Sequence, residues 1–151
     1  MSAEAIREET RQILERMGFA AELEDVSFHQ GVTSRVSARL RGDARMLIGE
    51  RGVNLAALEH ILRKIIQKKQ GSDIRITLDI IDYRMRRMED LKQAVKAAAK
   101  EVRLYGRSVP LRPMTSFERR IVHLLLAEYP DIATESTGME PERRVLIKPF
   151  P

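Results

Sequence analysis

The stretch LIGERG, residues 47–52, places two glycines three positions apart, between apolar residues and a long segment with helical periodicity. Glycine allows left-handed backbone conformations and lets another group approach the chain closely. A loop of this form is either a turn between two helices or a cradle for phosphate groups. The sequence around the loop decides between these alternatives.

The loop lacks the chemistry of the two common nucleotide-binding loops. A P-loop requires a lysine and a hydroxyl residue directly after its last glycine, but Val53 and Asn54 follow Gly52 here. A dinucleotide fingerprint requires three glycines directly after a strand, whereas a short helix is predicted before Gly49. Both nucleotide interpretations therefore fail on chemistry.

Regular elements are predicted on both sides of the loop. Strands are predicted where apolar and polar residues alternate, over 22–29, 33–42 and 74–80. Helices are predicted where apolar residues recur at helical spacing, over 2–17, 44–48 and 54–69. The predicted order through residue 82 is α-β-β-α-α-β. The predicted core faces of the first and third helices are Ile6, Ile13, Leu14 and Met17, and Leu55, Leu58, Ile61, Leu62, Ile65 and Ile66. His60 is expected on or near the buried face of its helix.

The second half begins with a long helix, predicted from Tyr83 to Gly106. One of its faces is apolar, and a different face carries a basic stripe of Lys92, Lys96, Lys100, Arg103 and Arg107. The ordinary interpretation of such a stripe is a solvated surface. An irregular connection over 108–114 follows. A capping-box pattern at 115–118 predicts a helix to residue 128, and the tail predicts a hairpin that turns at Gly138.

The positive charge of the chain is concentrated in two blocks. The whole chain carries a net charge of +5. Residues 1–30 have three basic and seven acidic side chains, residues 44–70 have six and two, and residues 83–123 have eleven and four. Local basic blocks indicate an anionic partner, although solvated helix faces give the same pattern.

The helix predicted over 115–128 carries an arginine and a histidine four positions apart, Arg119 and His123. Residues at this spacing are neighbours on one helix face. The core-facing side is predicted to consist of the apolar residues Phe117, Ile121, Leu124 and Leu125. Arg119 and His123 are therefore expected to point away from the core together, where they can contact phosphates or bases.

The GERG loop and the element order around it resemble a KH domain of the type II arrangement. In KH domains the GXXG loop clamps the backbone of about four nucleotides of a single strand. The following helix offers its N-terminal amides to the strand. Arg51 is expected to pair with a phosphate, Glu50 to be the less helpful member, and Ile48 to form the floor beneath the bases.

The whole chain resembles the Jag, or SpoIIIJ-associated, family of bacterial RNA-binding proteins. The segments that carry the resemblance are LIGERG, DYRMRR, LRPMTSFERRIVH and ERRVLIKP. Jag proteins join a KH domain to an R-three-H domain, named for an arginine and a histidine separated by three residues. Asp82 departs from the family pattern, which has glycine there.

The resemblance implies an α+β chain, with a type II KH domain over 1–82 and a small α/β R-three-H domain over 83–151. In the KH domain a three-stranded sheet is expected with its helices on one face. The implied ligand is single-stranded RNA, with single-stranded DNA as an alternative. The expected nucleic-acid-binding residues are Arg45, Ile48, Gly49, Glu50, Arg51, Gly52, Arg84, Arg87, Arg107, Arg119, Arg120 and His123.

The sequence offers no convincing catalytic or metal-binding constellation. It has no cysteine, and its three histidines lack metal-ligand spacing. Asp79 and Asp82 are expected to be ordinary surface carboxylates at a strand end. We therefore predict a non-enzymatic protein without cofactor or metal. The lack of a signal sequence and of a membrane span predicts a cytoplasmic location.

Three functional hypotheses remain open from the sequence. The first is an RNA-binding post-transcriptional regulator, for which the resemblance implies links to cell elongation, division or sporulation. The second is an adaptor whose KH unit pairs with a small single-KH protein or with a second copy, and whose RNA contact is secondary. The third is a nuclease that uses surface carboxylates, and no residue pattern favours it.

Overall fold

The computed structural model describes all residues from Met1 to Pro151. It divides into two compact units, Met1–Arg84 and Met85–Pro151, whereas the boundary was predicted after residue 82. Each unit has its own three-stranded sheet and its own hydrophobic core. None of the helices combines the length and the apolar character that crossing a bilayer requires.

The first unit has the predicted order α-β-β-α-α-β. Its elements are α1 (Ala3–Leu14), β1 (Leu23–His29), β2 (Ser34–Leu40), α2 (Arg45–Ile48), α3 (Val53–Gln70) and β3 (Ile76–Ile80). A π-helical turn, Glu15–Phe19, follows α1, and a 3-10 turn, Glu50–Gly52, joins α2 to α3.

The sheet of the first unit has the order β1-β2-β3. β1 and β2 are antiparallel, with Val26 opposite Ala38, and β2 and β3 are parallel, with Val36 opposite Leu78. A parallel pair requires a crossover connection. The short helix α2, the GERG loop and α3 together make that crossover, so the loop lies between two helices that the sheet holds in place.

The core of the first unit corrects three sequence predictions. Met17 is 48% exposed because the π-helical turn after Leu14 and the left-handed Gly18 redirect the chain. Ile61 is 49% exposed, and His60 is exposed as well. The buried stripe of α3 instead takes in a carboxylate and consists of Leu55, Leu58, Glu59, Leu62 and Ile66.

The turn from β3 to the next helix is unusual in two respects. Asp79 was predicted as a surface carboxylate but is only 5% exposed, because it accepts hydrogen bonds from the amides of Ile80 and Arg84. Ile81 and Asp82 both have positive φ values, 51° and 55°. A left-handed conformation at residue 82 gives a physical reason for glycine in the related pattern.

The second unit contains helices packed on an antiparallel sheet. Its elements are the greater part of α4 (Tyr83–Tyr105), then β4 (Val109–Pro110), α5 (Ser116–Leu126), β5 (Ile132–Thr137) and β6 (Arg144–Pro149). The strand order is β4-β6-β5. The predicted hairpin is present as β5 and β6. β4 was predicted as irregular chain, and a strand of two residues beside a proline leaves no alternation to detect.

The core-facing side of α5 was predicted wrongly. Phe117 and Leu124 are 62% and 64% exposed, and Leu125 is 36% exposed. The buried residues of α5 are instead Glu118, Arg119, Val122 and Leu126. Two charged side chains can occupy core-facing positions because each has hydrogen-bonding partners inside the unit. The capping box between Thr115 and Glu118 is formed as predicted.

Candidate nucleic-acid interface

The GERG loop has a backbone that ordinary residues rarely adopt. Gly49 has φ 72° and ψ 177°, a combination that is essentially confined to glycine. Arg51 and Gly52 follow with φ values of 55° and 78°. The amide of Gly49 donates to the carbonyl of Arg45 at 2.7 Å, and the amide of Gly52 donates to the carbonyl of Gly49 at 3.2 Å. The loop is thus a defined turn.

Both glycines lie against a side chain, which leaves no room for a Cβ atom at Gly49 and only a tight fit at Gly52. A Cβ atom at Gly49 would be 2.6 Å from Cγ of Asn54. Asn54 is held there because its Nδ2 donates to the carbonyl of Met46 at 2.7 Å. A Cβ atom at Gly52 would be 3.1 Å from Cε1 of Tyr83. The glycines therefore serve the packing of the loop as well as its conformation.

The helix that follows the loop starts without a side-chain cap. Gly52 is the N-cap residue of α3, no side chain accepts from the first amides, and the first turn contains no acidic residue. The N-terminal amides of a helix carry a partial positive charge and have no partner within the helix. This end of α3 therefore suits an anionic group, and the binding of a phosphate there stays a prediction.

The predicted side chains around the loop have different environments. Glu50 is exposed and Arg51 is half-buried. Arg45 is exposed and holds Asp43 in a bidentate pair with contacts of 2.6–2.9 Å. The hydrogen bonds from Arg45 lower the pKa of Asp43 to about 2, and Asp43 in turn raises the pKa of Arg45. Ile48 was predicted as a floor for bases, but it is only 6% exposed and belongs to the core. It supports the loop from below.

A buried carboxylate that the sequence pattern did not predict links α3 to β3 and to Arg84. Oε2 of Glu59 accepts from the amide of Leu78 at 3.0 Å and from Arg84 at 2.7 Å, and Oε1 accepts from Arg63 at 2.7 Å. Arg84 was predicted to bind nucleic acid, yet its guanidinium is engaged with Glu59 while 45% of its side chain stays exposed. The four-residue spacing of Glu59 and Arg63 was the available signal for this cluster.

In the second unit, Arg119 does not point away from the core. Its residue exposure is only 8%. One terminal nitrogen donates to the carbonyl of Met114 at 2.8 Å, and the other lies 2.9 Å from the carboxylate of Glu140. Arg119 therefore ties α5 to the preceding loop and to the β5–β6 turn, which corrects the prediction of a solvent-facing guanidinium.

His123 is half-buried, and both ring nitrogens have partners on β5. Nδ1 lies 2.6 Å from Oγ1 of Thr134, and Nε2 lies 3.0 Å from Oγ of Ser136. These two hydroxyl residues are two positions apart and thus share one face of the strand. His123 and Arg119 are neighbours on α5 as predicted, but they fasten the helix to the rest of the unit.

The remaining predicted arginines of the second unit also have different environments. Arg87 forms a bidentate pair with Glu118, with contacts of 2.6 and 3.3 Å. Burial alone would raise the pKa of Glu118, but the hydrogen bonds from Arg87 and from the Thr115 amide outweigh it and lower the pKa. Arg120 and Arg107 are exposed, and the guanidinium of Arg107 lies 5.7 Å from the centre of the Tyr105 ring. The chain has no cluster of three or more side chains that could hold a metal ion.

Comparison with known proteins finds relatives of this sequence. The family model of the R-three-H domain matches residues 89–149, which lie within the second unit. The curated RNA-binding protein KhpB of Clostridium symbiosum is 36% identical over 138 residues, which cover 90% of this chain and 61% of that protein. The chain is similar to the Jag (KhpB) family.

Two further relatives in this family are curated under the same name. RNA-binding protein KhpB of Lactiplantibacillus plantarum is 33% identical over 136 residues, covering 89% of this chain and 41% of the relative. The Bacillus subtilis protein is 36% identical over 106 residues, covering 69% of this chain and 51% of the relative. The chain therefore spans between 41% and 61% of the length of these Jag-family relatives.

Proposed function

We propose that this chain binds single-stranded RNA without catalysing a reaction on it, and that its first unit is a type II KH domain. The observation that carries the proposal is the loop over 49–52. It combines two glycines at positive φ with an uncapped helix N-terminus directly behind it. The α-β-β-α-α-β order supports the same ligand, as do the Jag-family relatives, which are named RNA-binding proteins.

The loop would hold the strand mainly through its backbone. The first amides of α3 have no side-chain cap, so they can donate to a phosphate oxygen of the strand. Arg45 would contact the strand by exchanging Asp43 for a phosphate. Both side chains are exposed and solvent screens the pair, so this exchange costs little.

The second unit would contribute exposed cations, among them Arg107 and Arg120. Arg119 and His123 would act through the shape of the unit, because their polar atoms are already bonded within it. This division of roles differs from the prediction that the arginine and the histidine contact the strand directly. It gives the motif of the family a structural reason to be present.

Replacing the two variable loop residues by aspartate tests the proposal. We expect the double variant Glu50→Asp, Arg51→Asp to weaken binding of a labelled single-stranded RNA at least tenfold, measured by fluorescence anisotropy at 100 mM salt. The reason is repulsion between the carboxylates and the phosphates. A matched control is Arg75→Asp, which makes the same charge change at an exposed position outside the loop. Unchanged RNA affinity in the folded loop variant would rule out the KH part of the proposal.

We further propose that the RNA contact serves post-transcriptional regulation in the bacterial cytoplasm, with the links to cell elongation, division or sporulation that the resemblance implies. Curated relatives named as RNA-binding proteins in several bacteria support this direction. Crosslinking of the bound RNA in cells followed by sequencing tests it. Recovery of no transcript above the level seen with the loop variant would contradict a regulatory role.

Protein partners of the chain stay predictions. The resemblance implies a small single-KH partner, and a homodimer is the other expectation. Pull-down before and after ribonuclease treatment separates these from contacts through RNA. Partners that survive the treatment support direct protein binding, while partners that disappear indicate association through a shared strand.

A further inference from the structure

A groove lies on the second unit between α4 and the C-terminal end of α5. Its volume is about 890 Å³. One wall consists of basic side chains of α4, and the floor is formed by apolar side chains of both helices. The basic stripe was interpreted from the sequence as a solvated surface. In the structure it borders a concave apolar surface, whereas an ordinary solvated helix face does not.

The basic wall has a regular spacing. Lys92, Lys96 and Lys100 follow one another at intervals of four residues and are all exposed. Four residues of α-helix rise by about 6 Å. Lys92 lies 3.9 Å from Glu89, whereas Lys96 and Lys100 have no carboxylate within ion-pair distance. The wall is therefore a row of cations whose charge is mostly uncompensated inside the unit.

One end of the groove carries a fixed cationic and aromatic pair. The guanidinium of Arg103 lies 4.8 Å from the centre of the Tyr129 ring. Asp131 holds this arginine with two contacts of 2.7 and 3.0 Å. The ring itself stays 44% exposed, and the neighbouring Leu104 is 65% exposed. Arginine and aromatic planes of this kind are the platforms on which unpaired bases stack.

We propose that this groove is a second track for single-stranded RNA, separate from the GERG loop. The phosphates would follow the lysine row, and the bases would lie on the apolar floor and against Tyr129. The inference rests on the proposed function, since it names a further surface for the same ligand. An acidic amphipathic peptide would also match a cationic rim and an apolar floor. The arginine–tyrosine stack at the groove end favours a nucleic acid strand.

Charge reversal on the lysine row tests the track in the full chain. We expect Lys96→Glu with Lys100→Glu to weaken binding of a labelled twelve-residue oligouridine at least tenfold at 100 mM salt. The slope of log K against log salt should fall by up to about 1.4, roughly 0.7 for each phosphate that the variant no longer neutralises. The matched control is Lys64→Glu with Lys68→Glu on α3, which has the same spacing, exposure and charge change. The control should change affinity less than threefold.

Two additional measurements locate the bound strand. Tyr129→Leu keeps an apolar side chain but removes the ring, and we expect it to weaken binding roughly fivefold. Ultraviolet crosslinking of a 4-thiouridine oligomer should label peptides from α4 or the end of α5. If the charge-reversed protein is not folded by circular dichroism, Lys96→Gln with Lys100→Gln makes the same test without reversing charge.

The outcomes separate this inference from the proposed function. If the loop variant loses RNA and the groove variant binds like its α3 control, the track is wrong and the loop proposal stands. If wild-type protein binds no oligouridine, both are wrong. A synthetic acidic amphipathic peptide of sixteen residues is the competing probe. If it binds wild type but not Lys96→Glu with Lys100→Glu, while oligouridine binding is unaffected, the groove belongs to a protein partner and the track is overturned.

Discussion

The two motifs of the chain, the GERG loop and the R-x-x-x-H helix, differ in what the structure does with their polar groups. The GERG loop leaves the first amides of α3 available, because the helix behind it starts without a side-chain cap. The R-x-x-x-H helix does the opposite. Arg119 and His123 use their polar atoms on a carbonyl, a carboxylate and two hydroxyls of the same unit.

The difference shows that a motif of arginine and histidine does not reveal by itself whether those side chains are exposed to solvent. A buried polar group costs free energy unless it is hydrogen-bonded, so a helix can bury an arginine only where partners surround it. A glycine loop has no polar side chains that could be either buried with partners or exposed. Its lack of side chains acts on the backbone directly, and the positive φ values leave few alternative conformations. Single substitutions in the two units test this contrast, beginning with the largest expected effect.

Among single substitutions in the two motifs, replacing Gly49 by alanine should be the most damaging. The new Cβ atom would meet Asn54 at 2.6 Å, and the backbone would have to keep φ at 72° with ψ at 177°. Strain of this kind costs about 1–3 kcal/mol, and the clash adds to it. We expect the free energy of unfolding to fall by roughly 3–4 kcal/mol, measured by urea denaturation, and RNA binding to fall with it.

Gly71→Ala is the matched control for Gly49→Ala. Gly71 has nearly the same φ, 71°, but nothing lies within 4 Å of its expected Cβ atom. It should therefore cost only the left-handed strain, about 1–2 kcal/mol, and leave RNA binding intact. Equal losses of stability in the two variants would mean that the side chain of Asn54 does not constrain the loop.

In the second unit, Arg119→Ala should mainly lower stability, whereas Arg120→Ala should mainly weaken RNA binding. Removing the buried Arg119 leaves the Met114 carbonyl without its donor and should lower stability by about 2–3 kcal/mol. Removing the exposed Arg120 should change stability by less than about 0.5 kcal/mol but weaken RNA binding. Thermal unfolding and anisotropy measure the two effects. A stable Arg119→Ala protein that no longer binds RNA would return Arg119 to the role of a direct contact.

These positions also show where prediction from sequence succeeds and fails. The element order of the first unit and the Thr115–Glu118 capping box were predictable, because periodicity and short-range hydrogen bonds depend on neighbouring residues. The buried face of α5 was not. Arg119 is buried with one partner nearby in the chain, the Met114 carbonyl, and one far along it, Glu140. No local pattern shows the distant partner.

The glycine loop was predictable for a different reason. Because glycine has no side chain, the roles open to a glycine-containing loop are restricted locally, whatever residues lie elsewhere in the chain. Yet the sequence did not show that Asn54 and Tyr83 fill the space beside the two glycines. Glu59 was missed in the same way, since its burial depends on Arg84 and on an amide of β3.

Glu118→Gln tests the buried carboxylate of the second unit. The pKa of Glu118 is lowered, so its contribution to stability is present above the ordinary value of 4.5 and is lost as the pH falls through the lower value of the folded state. We expect the variant to be less stable than wild type by about 1–2 kcal/mol at pH 7. The difference in the free energy of unfolding between wild type and variant, measured with urea over a pH series, should become smaller below pH 4.5. A difference that is independent of pH would show that the charge of Glu118 is not what stabilises the helix.

Asp79→Asn, in the first unit, should have the smallest effect on stability, and it should raise stability where Glu118→Gln lowers it. Burial raises the pKa of Asp79 above its ordinary value of 3.8, although the amides of Arg84 and Ile80 act against this. The folded protein therefore binds more protons than the unfolded chain between these two pKa values, and stability falls as the pH rises through that window. An asparagine keeps an acceptor for both amides and has no charge to bury. We expect the variant to gain less than about 1 kcal/mol at pH 7 and nothing below the ordinary pKa of 3.8. Asp82→Asn, an exposed neighbour in the same turn, is the control. A loss of stability at pH 7 for Asp79→Asn alone would show that the turn needs the negative charge beside Arg84.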